Sequence, residues 1–344
     1  VVKVTEPNPQ GGANHETTYA YDMFNRLTEV TMPRGGTTQT RTFAYNTLGQ
    51  LVTTVNPENG STTLAYNADG ALFSKTDQKA QRIEYTYDLF RRVTQVRKYQ
   101  SNGLEDACQR VNYYYDTNPF ESWFTQNGWG RLAAAEYGGS SCIGGLYRES
   151  YSYTAGGLPV KKKLWAQVSG AGSGSLVGEW SYDNEGKMLT VKYPDTLDAY
   201  GNAVTGRTYT YGHDGMGRLA TLVDNRPGDP PGWTWVSAAT YNAAWQVTQL
   251  TGTNFSETRE YNERLQVTRI YQPGSDTHYY YPDAQNNDGR ITRRNINGTD
   301  KTYNYDSLGR LSTAGSASYT YDGFGNRLTQ TSPAMNLTYY ASNN

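Results

Sequence analysis

Large and polar side chains alternate along much of this chain. In Tyr19-Ala20-Tyr21, Phe43-Ala44-Tyr45, Tyr85-Thr86-Tyr87 and Tyr303-Asn304-Tyr305 a bulky residue recurs at every second position, the period of a strand with one face toward its neighbours. Each run ends in a polar cluster with Asp or Asn, then usually glycine, then an apolar residue that opens another run. Tyr305-Asp306-Ser307-Leu308-Gly309-Arg310-Leu311 shows the full sequence of events. Asp306 suits the first position of a type I turn, where its carboxylate can accept backbone N–H groups two or three residues on. Gly309 stands where the loop needs a positive φ to re-enter the second strand through a bulge. The pattern predicts two short strands joined by a tight turn.

Copies recur from end to end. Tyr21-Asp22, Tyr45 with Gly49, Tyr66 with Gly70, and Tyr87-Asp88 open the series, their tyrosines 24, 21 and 21 residues apart. Tyr182-Asp183 with Gly186, Tyr305-Asp306 with Gly309 and Arg310, and Tyr321-Asp322 with Gly325 continue it. Asn25 and Arg91 replace the glycine in two copies and must carry the left-handed conformation. Pro33-Arg34-Gly35-Gly36 and Asn56-Pro57-Glu58-Asn59-Gly60 mark return loops on the opposite edge. About thirteen units can be recognised, which is the mark of a repeat architecture. The expected fold is all-β: tandem hairpins forming one long antiparallel sheet, a single array over residues 1–344.

Two features disturb the regularity. Apolar residues after the turn often stand three apart, as in Leu27 and Val30 or Val247 and Leu250, so either a bulge intervenes or both strand faces are partly covered. Between about residues 99 and 178 the pattern loosens. Thr117 to Asn127 separates Tyr115-Asp116 from Gly128-Trp129-Gly130-Arg131-Leu132, which reads as an insertion within a turn.

Composition agrees with strands and turns. The 344 residues include 31 tyrosines and 36 glycines, with net charge -1, so no electrostatic footprint for nucleic acid is present. No apolar run is long enough for a membrane-spanning helix, and no signal-peptide core opens the chain. Val1 starts within a strand pattern and Tyr339-Tyr340 resembles the opening of another copy, so the chain reads as part of a longer protein. Cys108 and Cys142 could form a disulfide in an oxidising compartment or stay separate as buried thiols.

The repeated Tyr-Asp-x-x-Gly-Arg-Leu resembles the YD repeat of bacterial RHS proteins, insecticidal toxin-complex components and teneurins, over nearly the whole chain. The resemblance implies a sheet that spirals into an open coil or part of a hollow shell. It also implies a non-enzymatic structural role, enclosing or presenting a C-terminal toxin or effector domain of the same polypeptide, and a secreted or cell-surface bacterial protein. About 26 strands at roughly 4.8 Å each would make about one turn of such a shell. Family shells commonly end in an Asp-Pro-x-Gly-Leu autoproteolytic motif; Asp229-Pro230-Pro231-Gly232-Trp233 departs from it and lies mid-chain, so a proline-rich loop is the better reading.

No catalytic, cofactor-binding or metal-binding residue is expected. His15, His213 and His278 are scattered among different repeats. The repeated aspartates have the fixed place of hairpin caps rather than paired catalytic carboxylates. Asp283 to Gly289 lacks the ligand spacing of a calcium loop and reads as an expanded turn. The alternative function is an adhesin or carbohydrate-binding module, in which Trp180 and Trp245 would stack on sugar rings; aromatic ladders on a sheet more often stack on each other.

Overall fold

The computed structural model describes residues 1–6, 13–34, 37–168, 170–197, 200–225, 233–322 and 325–337. It is all-β apart from one 3₁₀ turn at Ala107–Gln109. Strands pair antiparallel with their neighbours in sequence, giving sheets of 18 and 11 strands and a two-stranded ribbon, Thr196–Leu197 with Ala203–Val204. That ribbon is an excursion: Met188–Lys192 pairs past it with Thr208–His213. The larger sheet ends at Trp233–Val236 and the smaller begins at Ala238–Tyr241. Asp229 and its proline-rich neighbours, and Tyr339-Tyr340, lie outside the described residues.

The three-residue spacing is the work of a bulge. Tyr21 pairs with Leu27 while Ala20 pairs with Glu29, so Thr28 is extra and the register shifts by one. Tyr19 then pairs with Val30, which returns Leu27 and Val30 to one face beside the two tyrosines. The same shift occurs at Tyr45 and Leu51, Tyr66 and Leu72, Tyr241 and Val247, Tyr261 and Val267, and Tyr305 and Leu311.

Contacts cluster in two units. One comprises residues 1–84, 99–104 and 277–344; the other comprises 85–98 and 105–276. In the first the tyrosines are half-buried at most, Tyr21 being exposed, and among the described residues its buried apolar ones are Ala314 and Ala317. The second unit holds the denser packing. Ala133, Ala134 and Ala135 on strand Leu132–Gly138 are buried on both faces, together with Phe124, Ser150 and Ser152.

The inserted segment creates that packing. Asn118 is buried, accepts the Phe120 and Glu121 N–H groups on Oδ1, and donates to the Ser150 hydroxyl at 2.9 Å. Phe120 meets Tyr114 edge-on at 5.2 Å and lies under the Arg148 guanidinium at 4.2 Å. The Lys163 ammonium reaches Glu121 at 2.6 Å. The segment is therefore folded onto strands Leu132–Gly138, Leu146–Tyr153 and Pro159–Val168.

Cys108 and Cys142 are joined in a disulfide, with their Cα atoms 5.7 Å apart across a sequence separation of 34. Closing a loop of that length restricts the unfolded chain by about 4 kcal/mol. Cys108→Ser together with Cys142→Ser should lower the unfolding midpoint of the second unit by several degrees in calorimetry. Adding reductant to the wild-type chain should reproduce the change and leave the double variant unaltered.

Candidate functional site

The recurring site is the turn and what binds it to the next turn. In the first full copy, Asp22 Oδ1 accepts the N–H groups of Phe24 and Arg26 at 2.9 and 3.0 Å, and Oδ2 accepts Arg26 Nε at 2.7 Å. The backbone closes with Asn25 N–H to the Asp22 carbonyl and Asp22 N–H to the Arg26 carbonyl. Asp88, Asp214 and Asp306 repeat this set with Arg92, Arg218 and Arg310. Asp183 caps Glu185 and Lys187, and Asp322 caps Asn326. The carboxylates of Asp22, Asp88, Asp183, Asp214 and Asp306 thus reach two and four residues ahead, one residue further than a simple type I turn requires.

Gly49, Gly70, Gly186, Gly309 and Gly325 all hold a positive φ, between 74° and 92°. Asn25 and Arg91 occupy the same conformation at 61° and 62°, and so do Trp245 and Leu265 at 63° and 62°. Trp245, a candidate for sugar stacking, is therefore the bulge residue of its own turn. At Gly309 conformation decides: a Cβ would meet only the mobile guanidinium end of Arg290, an arginine of the preceding repeat, but the positive φ strains any other residue.

That arginine belongs to an interlock that pattern reading did not find. In most copies the tyrosine before the turn points its hydroxyl at the carbonyl of the first residue after the preceding turn. Tyr45 donates to Leu27, Tyr66 to Leu51, Tyr115 to Val93, Tyr182 to Pro159, Tyr305 to Ile291 and Tyr321 to Leu311, all at 2.7–3.0 Å. Tyr21 donates likewise to the Val1 carbonyl at 2.8 Å. The arginine of the preceding turn lies over the same ring: Arg26 over Tyr45 at 4.8 Å, Arg92 over Tyr115 at 4.4 Å, Arg310 over Tyr321 at 4.8 Å. Arg310 also donates to the Asp322 carbonyl at 2.9 Å. Tyrosine before Asp22, Asp88, Asp306 and Asp322, and arginine at positions 26, 92, 218 and 310 after the left-handed turn residue, were the sequence signals.

Electrostatics support the caps. Partial desolvation raises the carboxyl pKa of Asp22 and Asp88, but hydrogen bonds from Arg26 and Phe24, or Arg92 and Phe90, outweigh it and hold both below the ordinary value. For Asp183 and Asp214 the Lys187 and Arg218 backbone N–H groups are the largest influence, again downward. Asp116, whose turn is expanded by the insertion, is held down first by the Arg92 guanidinium, at 2.8 and 3.1 Å, and next by the Gly130 N–H.

Other candidates are dispersed. Trp180 is half-buried on strand Gly172–Tyr182 with its ring against Gly178. The ring of His278 stacks on Tyr280 at 6.4 Å. Asp283 Oδ1 is occupied by the N–H groups of Gln285 and Asn286. Among the described residues no group of three or more His, Cys, Asp or Glu could hold a metal ion, and no helix is long and apolar enough to cross a membrane.

Three outcomes follow from this geometry. Tyr45→Phe should cost about 1 kcal/mol, since it removes the hydrogen bond to the Leu27 carbonyl, and Gly309→Val about 1–3 kcal/mol from φ strain; denaturant titration monitors both. The lowered aspartates stay charged in the fold, so their contribution is complete above the unfolded carboxyl pKa of about 3.9 and fades as pH drops through it toward the folded values. Thermal midpoints should therefore fall below about pH 4. A profile that stays level into that range would contradict the capping role.

Comparison with known proteins gives a consistent result. Residues 3–143 match the family model described as teneurin YD-shell, and no curated protein sequence matches the chain. The TcdB2-TccC3 crystal structure superimposes with a TM-score of 0.73 at 15% identity, over 95% of this chain and 18% of that one. The TcdB2-TccC3-Cdc42 structure gives 0.72 at 15% identity, and the Photorhabdus luminescens Tc holotoxin pore 0.72 at 16%, with the same coverage. This chain spans 18% of the length of those solved chains. Its repeated turns, the teneurin YD-shell match over residues 3–143 and the shared fold bear out the resemblance to the RHS/YD-repeat family.

Proposed function

We propose that this chain is a non-catalytic wall segment of an RHS-type β-shell that encloses or presents a C-terminal toxin or effector domain of its own polypeptide. The observation that carries the reading is at the turn tips. Met23, Phe24, Leu48, Leu89 and Phe90 project from their turns into solvent, Met23 at 89% and Leu89 at 100% exposure. The turn at Asp306–Gly309 differs. Ser307 and Leu308 are half-buried, and within this first unit the His15 ring Nε2 lies 3.2 Å from the Ser307 carbonyl, a contact across 292 residues of sequence. One edge of the repeat array is thus a surface against which other repeats pack.

In this reading the exposed tips are the faces that further repeats of a larger shell cover, which removes apolar area from water at about 25 cal/mol per Å². Individual turns are fixed by their own caps and need no ligand, as befits a wall. The disulfide suits an oxidising, secreted or cell-surface location.

Electron microscopy of the complete polypeptide tests this. Closed density around a protease-resistant C-terminal domain is the expected result. A C-terminal domain that lies outside the repeats and is cleaved at the rate of the free domain would overturn the reading.

A further inference from the structure

The inserted segment of residues 117–127 does more than fill space. With strands Leu146–Tyr153, Pro159–Val168, Gly172–Tyr182 and Met188–Lys192 it walls a cavity of about 460 Å³, within the range of small-molecule sites. Trp123 stands at one side; Gln126, Lys161, Glu179, Lys192 and Asp195 supply polar walls. We propose that this cavity is a binding site for a neutral saccharide, with Trp123 as the stacking platform. The assignment does not rest on the shell reading.

Three observations point to that chemistry. First, Trp123 is 73% exposed although its neighbour Phe124 is buried, and its ring touches Phe124 edge-to-face at 5.9 Å, which leaves an indole face open. Its indole N–H has no acceptor among the described residues, and neither has the Gln126 side-chain amide a partner there. An aromatic face next to unsaturated hydrogen-bonding groups is what a sugar ring uses: C–H groups on the ring, hydroxyls on the amide and charges.

Second, the charges cancel. Lys161 faces Glu179 at 3.5 Å and Lys192 faces Asp195 at 3.3 Å. The cavity has donors and acceptors in alternation but no excess of either sign, so it favours a hydroxyl-rich neutral ligand over a phosphate or a cationic peptide. Third, the platform is held in advance. Gln126 N–H donates to the buried Ser152 hydroxyl at 3.2 Å, Tyr153 N–H donates to the Gln126 carbonyl at 3.1 Å, and the Asn118, Glu121 and Phe124 anchors fix the rest of the segment. Little ordering remains to oppose binding. Trp180 and Trp245 are poorer platforms, the one against Gly178 and the other beneath the Arg218 guanidinium at 5.7 Å.

Calorimetric titration of the 344-residue chain with a panel of neutral hexose and N-acetylhexosamine tetrasaccharides is the test. We expect saturable binding to at least one of them at a Kd between about 1 μM and 1 mM, weakened at least about tenfold by Trp123→Ala and partly restored by Trp123→Phe. Trp129→Ala, at an exposed turn residue that does not line the cavity, should leave binding and thermal midpoint unchanged. Should Trp123→Ala unfold the segment, judged by circular dichroism, Gln126→Ala takes its place with the same expected loss. Absence of saturable binding up to about 10 mM of every member, or affinity that survives these substitutions in folded protein, overturns the proposal.

Discussion

The bulge after each turn creates the need that the rest of this structure answers. An extra residue in the returning strand shifts the register there, and a backbone acceptor beside it is costly to leave unmet wherever water is partly excluded. The tyrosine of the next repeat satisfies it, as Tyr45 does for Leu27 and Tyr321 for Leu311. The preceding arginine then stacks on that ring while its Nε side holds its own aspartate, as Arg26 bridges Asp22 and Tyr45. Cap, bulge, ring and guanidinium form one chain of contacts that passes from repeat to repeat.

This explains how a sheet with so few buried apolar residues is specified. Among the described residues of the first unit the buried apolar positions are Ala314 and Ala317, too small to provide a conventional core. Nearest-neighbour terms carry the array instead, which is the energetic form expected of repeat proteins. A hydrogen bond of about 1 kcal/mol and a cation–π contact of about 0.5–1 kcal/mol are modest singly, but they recur at successive turns and fix register as well as stability. Substitution is tolerated where one partner can be replaced: Thr154 serves for Asp in the turn that ends at Gly157, accepting the Leu158 N–H at 3.0 Å.

Departure from the repeat is where the second unit acquires depth. Asp116 still caps Gly130, but across an inserted stretch rather than within one tight loop, and Arg92 of the preceding turn grips it with both nitrogens. The released segment folds down onto small residues, Ala134, Ser150 and Ser152, that leave room for Asn118, Gln126 and Phe124. Regular repeats supply a rigid platform, and the interruption supplies a cavity, the usual division between scaffold and loop.

Sequence alone determined the all-β class, the hairpin period, the capping aspartates and the left-handed turn position, because these depend on alternation and on conformational preferences local to a few residues. The spacing of Leu27 and Val30 even carried the bulge, though it could not be told from a strand covered on both faces until Tyr21 was seen opposite Leu27. Tertiary structure decided what lies between repeats: which carbonyl each tyrosine reaches, which ring each arginine covers, and that His15 meets the turn at Ser307. It also decided that Cys108 and Cys142 are bonded and that Trp123, rather than Trp180 or Trp245, stands open beside unpaired polar groups. Those facts depend on distances between residues tens to hundreds of positions apart, and the chain's local periodicity holds no record of them.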